Sequence, residues 1–444
     1  MYDVKVSVVM PVYNAEEFLI ETLDSLIKQT LQEIEIICVD DMSTDRSLSI
    51  LQEYALNDTR VKVFKSPQKT LGPGAARNHG LKKASGEFIY FADADDLFDP
   101  NMLEESYNKA RSTEVDIVLF DSVSFDTQTG EVTGGQNRFL IQRFLPEKEV
   151  FKLGDIENHQ FSITCGVSWI CLYRHVFLIE NELCFIENVL NEDLVFSYLS
   201  LAVAKRITVL KRFFVKYRQG NPISVSSTRD KWPDCGYNAF SLLKQELERR
   251  NIYTLFQRTF ANCALKSVLS DLDMTCDPDA FHKIYMIGKQ KCIPEFGIDV
   301  LKDSEIISED YRIKRDFIIH SSPEEYLIRL KGYWRIRNRK AYIGKIRDIP
   351  FEKNEPIAIY GAGAKGREWF SFLFNRSYRI VKWVDKNAHA IGFPISEPDS
   401  LKEEQIKMVI VAIEDEEVFE QVGVYLYSMG FTKESIYWPF EHKS

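Results

Sequence analysis

At 444 residues the chain is too long for one ordinary core, and at roughly 150 residues per domain it should fold as two or three. Its composition, 45% hydrophobic and 27% charged, is that of a globular protein and excludes the collagen-like and disordered classes. A net charge of -10 argues against a general nucleic-acid binder, because a polyphosphate would be repelled on average.

In chain order, Val4–Met10 is a continuous β-rich run, as expected of a strand buried on both faces. Glu16–Gln29 follows with Phe18, Ile20, Leu23, Leu26 and Ile27 at helical spacing. Ile34–Val39 predicts a second strand, Asp45–Leu56 a helix, Arg60–Lys65 a strand, Gly74–Ala84 a helix, Phe88–Ala92 a strand, Pro100–Arg111 a helix and Asp116–Phe120 a strand. Such alternation implies an α/β fold with a parallel sheet covered by helices, and ligands beyond the carboxyl ends of the strands. A strand-like run returns at Arg212–Tyr217, before the turn Gly220-Asn221-Pro222. Residues 232–347 are mainly helical in period. A fresh α/β unit opens after Pro350, with strands at Pro356–Tyr360, Arg379–Val384, Lys407–Ala412 and Ser435–Trp438 and a helix at Arg367–Phe374. The expected organisation is therefore 1–228, 229–350 and 351–444.

None of the eight cysteines forms a C-x-x-C pair, so no zinc site is legible and reduced, structural thiols in a cytosolic protein are expected. The N-terminus lacks a basic head followed by an apolar stretch, and no window approaches ~20 uninterrupted apolar residues. Neither a signal peptide nor a membrane span is expected.

Three predicted strands end in polar groups: Pro11-Val12-Tyr13-Asn14, Asp40-Asp41-Met42-Ser43-Thr44-Asp45 and Asp93-Ala94-Asp95-Asp96. Grouping so many carboxylates at one sheet edge is costly unless a cation or donor groups compensate. A hard divalent ion, Mn²⁺ or Mg²⁺, bridging to a diphosphate would do so. These segments, with Gly-Pro-Gly-Ala-Ala-Arg-Asn-His-Gly (72–80), resemble in order and spacing the nucleotide-binding half of inverting bacterial family-2 glycosyltransferases with the GT-A fold. The likeness is specific over about 125 residues and continues to about 227. It implies a UDP-sugar donor, with Pro11, Tyr13 and Glu16 at the nucleobase, Asp40 on the uracil edge, Asp93 at ribose or donor sugar and Asp95 as metal ligand. Gly74, Arg77 and Asn78 resemble the segment beside the donor, where Arg77 would meet phosphate. Asp41 and Ser43 read as caps of the following helix, and Asp96 as structural or supporting.

Sugar transfer with inversion needs one general base on the acceptor hydroxyl. Asn191-Glu192-Asp193-Leu194-Val195-Phe196 resembles the family's acidic pair, with Asp193 taking the proton and Glu192 helping to hold the acceptor. Trp169 in Trp169–Arg174 either stacks on an acceptor sugar or belongs to the core. Tyr217-Arg218-x-Gly220-Asn221-x-Ile223-Ser224 resembles the closing strand and loop, with Arg218 either a counter-charge for the leaving diphosphate or a surface ion pair. The resemblance implies a glycan acceptor, lipid-linked in some systems, in lipopolysaccharide, capsule or other surface polysaccharide synthesis.

Two pieces stand apart. Arg329–Arg347 is basic and aromatic, and reads either as a peripheral membrane contact on the cytoplasmic face or as a solvated linker helix. Gly361-x-Gly363-x-x-Gly366, with Asp385 further on, has the dinucleotide spacing in a Rossmann-like unit too short for both mononucleotide halves. It is read as a nucleotide site or as a docking and homo-oligomerising module. Rival readings of the chain are an NAD-linked sugar-nucleotide enzyme using that tail, a nucleotidyltransferase, and a non-catalytic sugar-nucleotide binder.

Overall fold

The computed structural model describes residues 3–439 apart from 67–70, 128–131, 134–138, 220, 222–229, 276, 328, 331–351, 364, 367–368, 371–372, 374–377, 389–394, 404 and 414. Its packing divides into two units, Met1–Tyr326 and Leu327–Ser444. All but the first two residues of the basic stretch 329–347 lie outside the described residues, as does the loop expected to close at 220–228 apart from Asn221.

The first unit opens with β1 (Val6–Val12), α1 (Leu19–Ile27), β2 (Ile34–Asp40), α2 (Ser47–Asn57), β3 (Val61–Lys65), α3 (Gly74–Leu81) and β4 (Phe88–Phe91). It continues with β5 (Leu97–Phe98), α4 (Met102–Thr113), β6 (Ile117–Asp126), β7 (Val132–Thr133), β8 (Cys171–Arg174), α5 (His175–Glu180), α6 (Glu192–Val203) and β9 (Ile207–Gln219). These strands form one sheet ordered β3-β2-β1-β4-β8-β6-β9-β5, with β7 on β6. β2 is buried throughout and β1 at all but Pro11, which is why their Val and Ile run continuously instead of alternating with polar residues. The exception inside β2 is Glu35, whose carboxylate accepts from Ser7 Oγ, from Ser85 N–H and Oγ–H, and from Lys62 Nζ at 2.6–2.8 Å. Burial raises its pKa, but these donors more than offset that, and the net direction is downward.

The parallel sheet expected of the first elements is found in β3, β2, β1 and β4, which are parallel neighbours, and β8 runs antiparallel between β4 and β6. This strand comes from the segment Trp169–Arg174 and reverses the sheet beside the acidic strand ends.

Helices α7 (Cys235–Arg249), α8 (Tyr253–Met274), α9 (Pro278–Ile287), a short α10 (Ile293–Glu295) and α11 (Glu309–His320) complete the first unit. Phe240, Phe260 and Phe296 lock them, with ring centroids 5.4–6.2 Å apart. Among the described residues, no helix is long and apolar enough to cross a membrane.

In the second unit β10 (Ile357–Tyr360), β11 (Ile380–Val384), β12 (Met408–Val411) and β13 (Ile436–Tyr437) form a parallel sheet ordered β11-β10-β12-β13. Successive side chains of β10 enter opposite cores: Ile357 and Ile359 pack with Trp369, and Ala358 and Tyr360 with Leu426 of α12 (Glu416–Ser428).

Candidate active site

The loops after β1 and β2 are stapled together. Asn14 takes a left-handed φ of 48°, its N–H donates to Ser43 Oγ at 3.1 Å, and its Oδ1 accepts from Thr44 N–H at 2.8 Å. Glu16 N–H donates to Asp45 while Arg46 N–H donates back to Glu16 Oε2 at 2.9 Å. Glu16, expected at the nucleobase, thus also holds the start of α2, where Asp45 accepts from Ser47 N–H; the capping expected of Asp41 and Ser43 falls to Glu16 and Asp45. The staple leaves Tyr13 41% exposed beyond Pro11, next to buried Asp40, whose Oδ1 faces the Ser43 N–H at 3.4 Å. Register pairs Val12 with Asp40 directly, so these groups share one edge.

The other half is assembled by α3. A Cβ on Gly74 would lie 2.6 Å from the Ile186 carbonyl oxygen and 2.9 Å from Glu192 Cγ, so only glycine lets the segment 185–192 pass this closely. Asn78 fixes that segment with its amide: Nδ2 donates to the Phe185 carbonyl and Oδ1 accepts from the Phe185 N–H, both at 2.8 Å. The preceding residue, Arg77, 4% exposed, donates to Glu192 Oε1 and to Asp93 Oδ1, each at 2.5 Å. Arg77, expected to meet phosphate, lies here between two carboxylates, and Asn78 on a backbone.

That clamp joins the end of β4 to the start of α6. Asn191 enters the helix with φ 61°, a conformation Asn tolerates, and presents Glu192 and Asp193 in the first turn. Asp193 Oδ1 accepts from Leu194 N–H at 2.9 Å. A helix N-terminus favours ionised carboxylates, yet burial dominates here. It raises Glu192 to about 8 even against the Arg77 charge, with Asp193 pushing the same way. Asp193 is raised too, by burial first and then by Asp93, with Arg77 opposing. Arg77 moves upward: burial lowers it, but Asp93, Glu192 and Asp193 outweigh that. Glu192 and Asp193 together retain a proton above the ordinary carboxylate range.

Beside them lie Asp95 and Asp96. Burial, reinforced by Asp93, raises Asp95, whose Oδ2 accepts from Asn221 Nδ2 at 2.8 Å. Asp96 is raised further by burial and by Asp95 and Asp93, and its Oδ1 accepts from the Arg218 N–H at 2.9 Å. The guanidinium of Arg218, read as a counter-charge for the diphosphate or as a surface ion pair, donates to the Asp95 carbonyl at 2.7 Å and to Glu21 at 2.9 Å, and lies against Phe18 and Phe125. It braces the Asp95 loop. Trp169, read as an acceptor platform or as core, is 4% exposed and stacks on Tyr217 at 5.3 Å and 5°. Sequence reasoning missed Glu21 and the link from Asn221 to Asp95; only the presence of Asn221 in the quoted closing-loop pattern pointed towards the latter.

The arrangement brings Asp40, Asp93, Asp95, Glu192 and Asp193 to one end of the sheet, with a buried cation among them. Known proteins resemble the chain in sequence and fold. A family model described as "Glycosyl transferase family 2" matches residues 7–177. The poly(ribitol-phosphate) beta-glucosyltransferase of Bacillus spizizenii is 35% identical over 228 residues, which are 50% of this chain and 34% of that protein. An uncharacterized glycosyltransferase of Haemophilus influenzae is 35% identical over 191 residues, 38% of this chain and 76% of that protein. Thus the chain spans about a third of the length of the first relative and three quarters of the second. Staphylococcus aureus TarS 1-349, solved in complex with UDP-GlcNAc, shares the fold with a TM-score of 0.56 at 22% identity, over 72% of this chain and 89% of that one.

Proposed function

The chain belongs to glycosyltransferase family 2 and has its GT-A type fold, and from that premise we propose that it transfers a sugar from a UDP-sugar to a hydroxyl of a glycan or polyol-phosphate acceptor, with inversion. The observation that carries this reading is the Arg77 clamp, which ties donor-side Asp93 to acceptor-side Glu192 beside Asp193. In the proposed roles Tyr13 lies against the uracil, Asp40 accepts from its edge, and Asp193 removes the acceptor proton on the face opposite the leaving diphosphate. Glu192 and Asp193 divide the labour: the carboxyl held neutral to about 8 can donate to an acceptor oxygen, while its neighbour ionises and acts as base. No side chain in the proposed set is assigned as a nucleophile, in keeping with inversion.

A divalent ion, Mn²⁺ or Mg²⁺, fits Asp95, because the burial and then the neighbouring carboxylates that raise Asp95 and Asp96 would be offset by a cation. Among the described residues no three His, Cys, Asp or Glu side chains are grouped to hold a metal alone, so diphosphate and water oxygens would complete the shell. The ion would neutralise charge on the departing diphosphate. The relatives named for poly(ribitol-phosphate) support a bacterial surface polymer as acceptor class.

UDP with Mn²⁺ should raise the melting temperature of the full chain, and Asp95→Ala should remove the Mn²⁺-dependent part of the rise. At a ligand concentration of a hundred times Kd the stabilisation is about 2.7 kcal/mol, which a thermal scan resolves. An increment unchanged in Asp95→Ala contradicts the metal role.

A further inference from the structure

The second unit contains a cavity of about 540 Å³ at the carboxyl ends of its parallel strands. Open parallel sheets bind ligands at that edge, and the volume suits a molecule of mononucleotide size. One wall runs from Tyr360 to Gly363. The facing wall is one side of α12, where Val418, Gln421, Val422 and Tyr425 recur at helical spacing.

The glycines separate chain geometry from ligand geometry. Gly361 has φ +104°, and a Cβ on Gly366 would fall 1.9 Å from the Gly361 carbonyl oxygen, so the fold itself requires both. Gly363 differs. Its φ is outside the left-handed region, a Cβ there would meet nothing within 4 Å, and it is exposed on the cavity wall. Among the described residues nothing requires glycine at 363, whereas a phosphate lying against the backbone there would.

Asp385 argues against a dinucleotide. In a dinucleotide site the acid at this place receives ribose hydroxyls. Here Oδ2 accepts from the Ala362 N–H at 2.7 Å and Oδ1 from the Asn387 N–H at 2.8 Å, so the carboxylate closes its own loops. The sheet has four strands among the described residues, which provides a single mononucleotide half. The remaining charges on the wall are Lys365 and Lys386, both cationic.

We propose that this cavity is a second nucleotide site, taking a nucleoside mono- or diphosphate and not a dinucleotide. Phosphate lies against Gly363 near Lys365 and Lys386, and the base lies against Ile413, Val418 and Tyr425. The lining residues named here all belong to the second unit, so the inference stands apart from the catalytic reading.

Titration calorimetry on the full chain tests it in an Asp40→Ala/Asp95→Ala background, which disables the first unit's site. UDP or ADP should still bind, with one site per chain. Adding Gly363→Val should weaken that binding at least about tenfold without lowering the melting temperature of the ligand-free protein, and Lys386→Glu on the exposed rim should weaken it about tenfold. Three results overturn the proposal: neither UDP nor ADP binds in this background, the bound nucleotide is indifferent to both substitutions, or NAD⁺ binds more tightly than either. A normal catalytic site with an empty second unit would therefore be recognised as such.

Discussion

Asp193→Asn should bind UDP with unchanged affinity while losing turnover by a factor of about 10²–10⁴, the usual contribution of a positioned general base. The amide preserves shape and keeps an oxygen that can accept from the Leu194 N–H at the first turn of α6, so the fold tolerates it, but it cannot take a proton. The pH profile supplies the second readout. A base works only when ionised, and burial together with the Asp93 charge raises the Asp193 carboxyl. The rate of the wild type should therefore climb with pH across a range above that of an ordinary aspartate. In Asp193→Asn the small residual rate should lose this limb. Turnover retained at more than a tenth of the wild-type value would remove Asp193 as the base.

Arg77→Met should destabilise the first unit by about 3–5 kcal/mol, because it leaves buried Glu192 and half-buried Asp93 without their cation. For a domain of this size that lowers the melting temperature by about 10 °C. A cavity or packing defect would cost the same at every pH; a charge defect would not. In the substituted chain the penalty falls on ionised carboxylates, so the deficit should shrink as the pH drops and they protonate. The wild type carries a weaker version of the same linkage. With the folded Glu192 raised from 4.5 to about 8, the folded state holds a proton that the unfolded state has lost. Its stabilising share is fully present below pH 4.5 and is lost as the pH rises through 8. Differential scans at pH 5 and pH 8.5 check both; a deficit in Arg77→Met independent of pH would contradict the clamp.

Much of this architecture was legible from residue order. Continuous Val and Ile runs marked β1 and β2 because strands buried on both faces need no polar alternation, and Asp40, Asp93 and Asp95 followed as strand-end acids. What could not be read was pairing across distance. Arg77 meets Glu192 across 115 positions and Arg218 meets Glu21 across 197. An arginine near an expected diphosphate gives no sign in the sequence of the buried carboxylate that it also meets. Likewise Trp169 and β8 share one apolar run, in which a four-residue antiparallel strand leaves no periodic signal. The glycines at 74 and 363 look alike in sequence. Only the packing distinguishes the one required by Ile186 and Glu192 from the one that its neighbours leave open.

A crystal structure of the chain with UDP and Mn²⁺ bears most directly on the convergence of these acids. The account predicts the uracil between Tyr13 and Asp40, the ion between Asp95 and the diphosphate, and Asp193 facing the space next to the β-phosphate with Arg77 still clamped. UDP bound away from the ends of β1, β2 and β4, or Asp193 shut off from the nucleotide by protein, would contradict it.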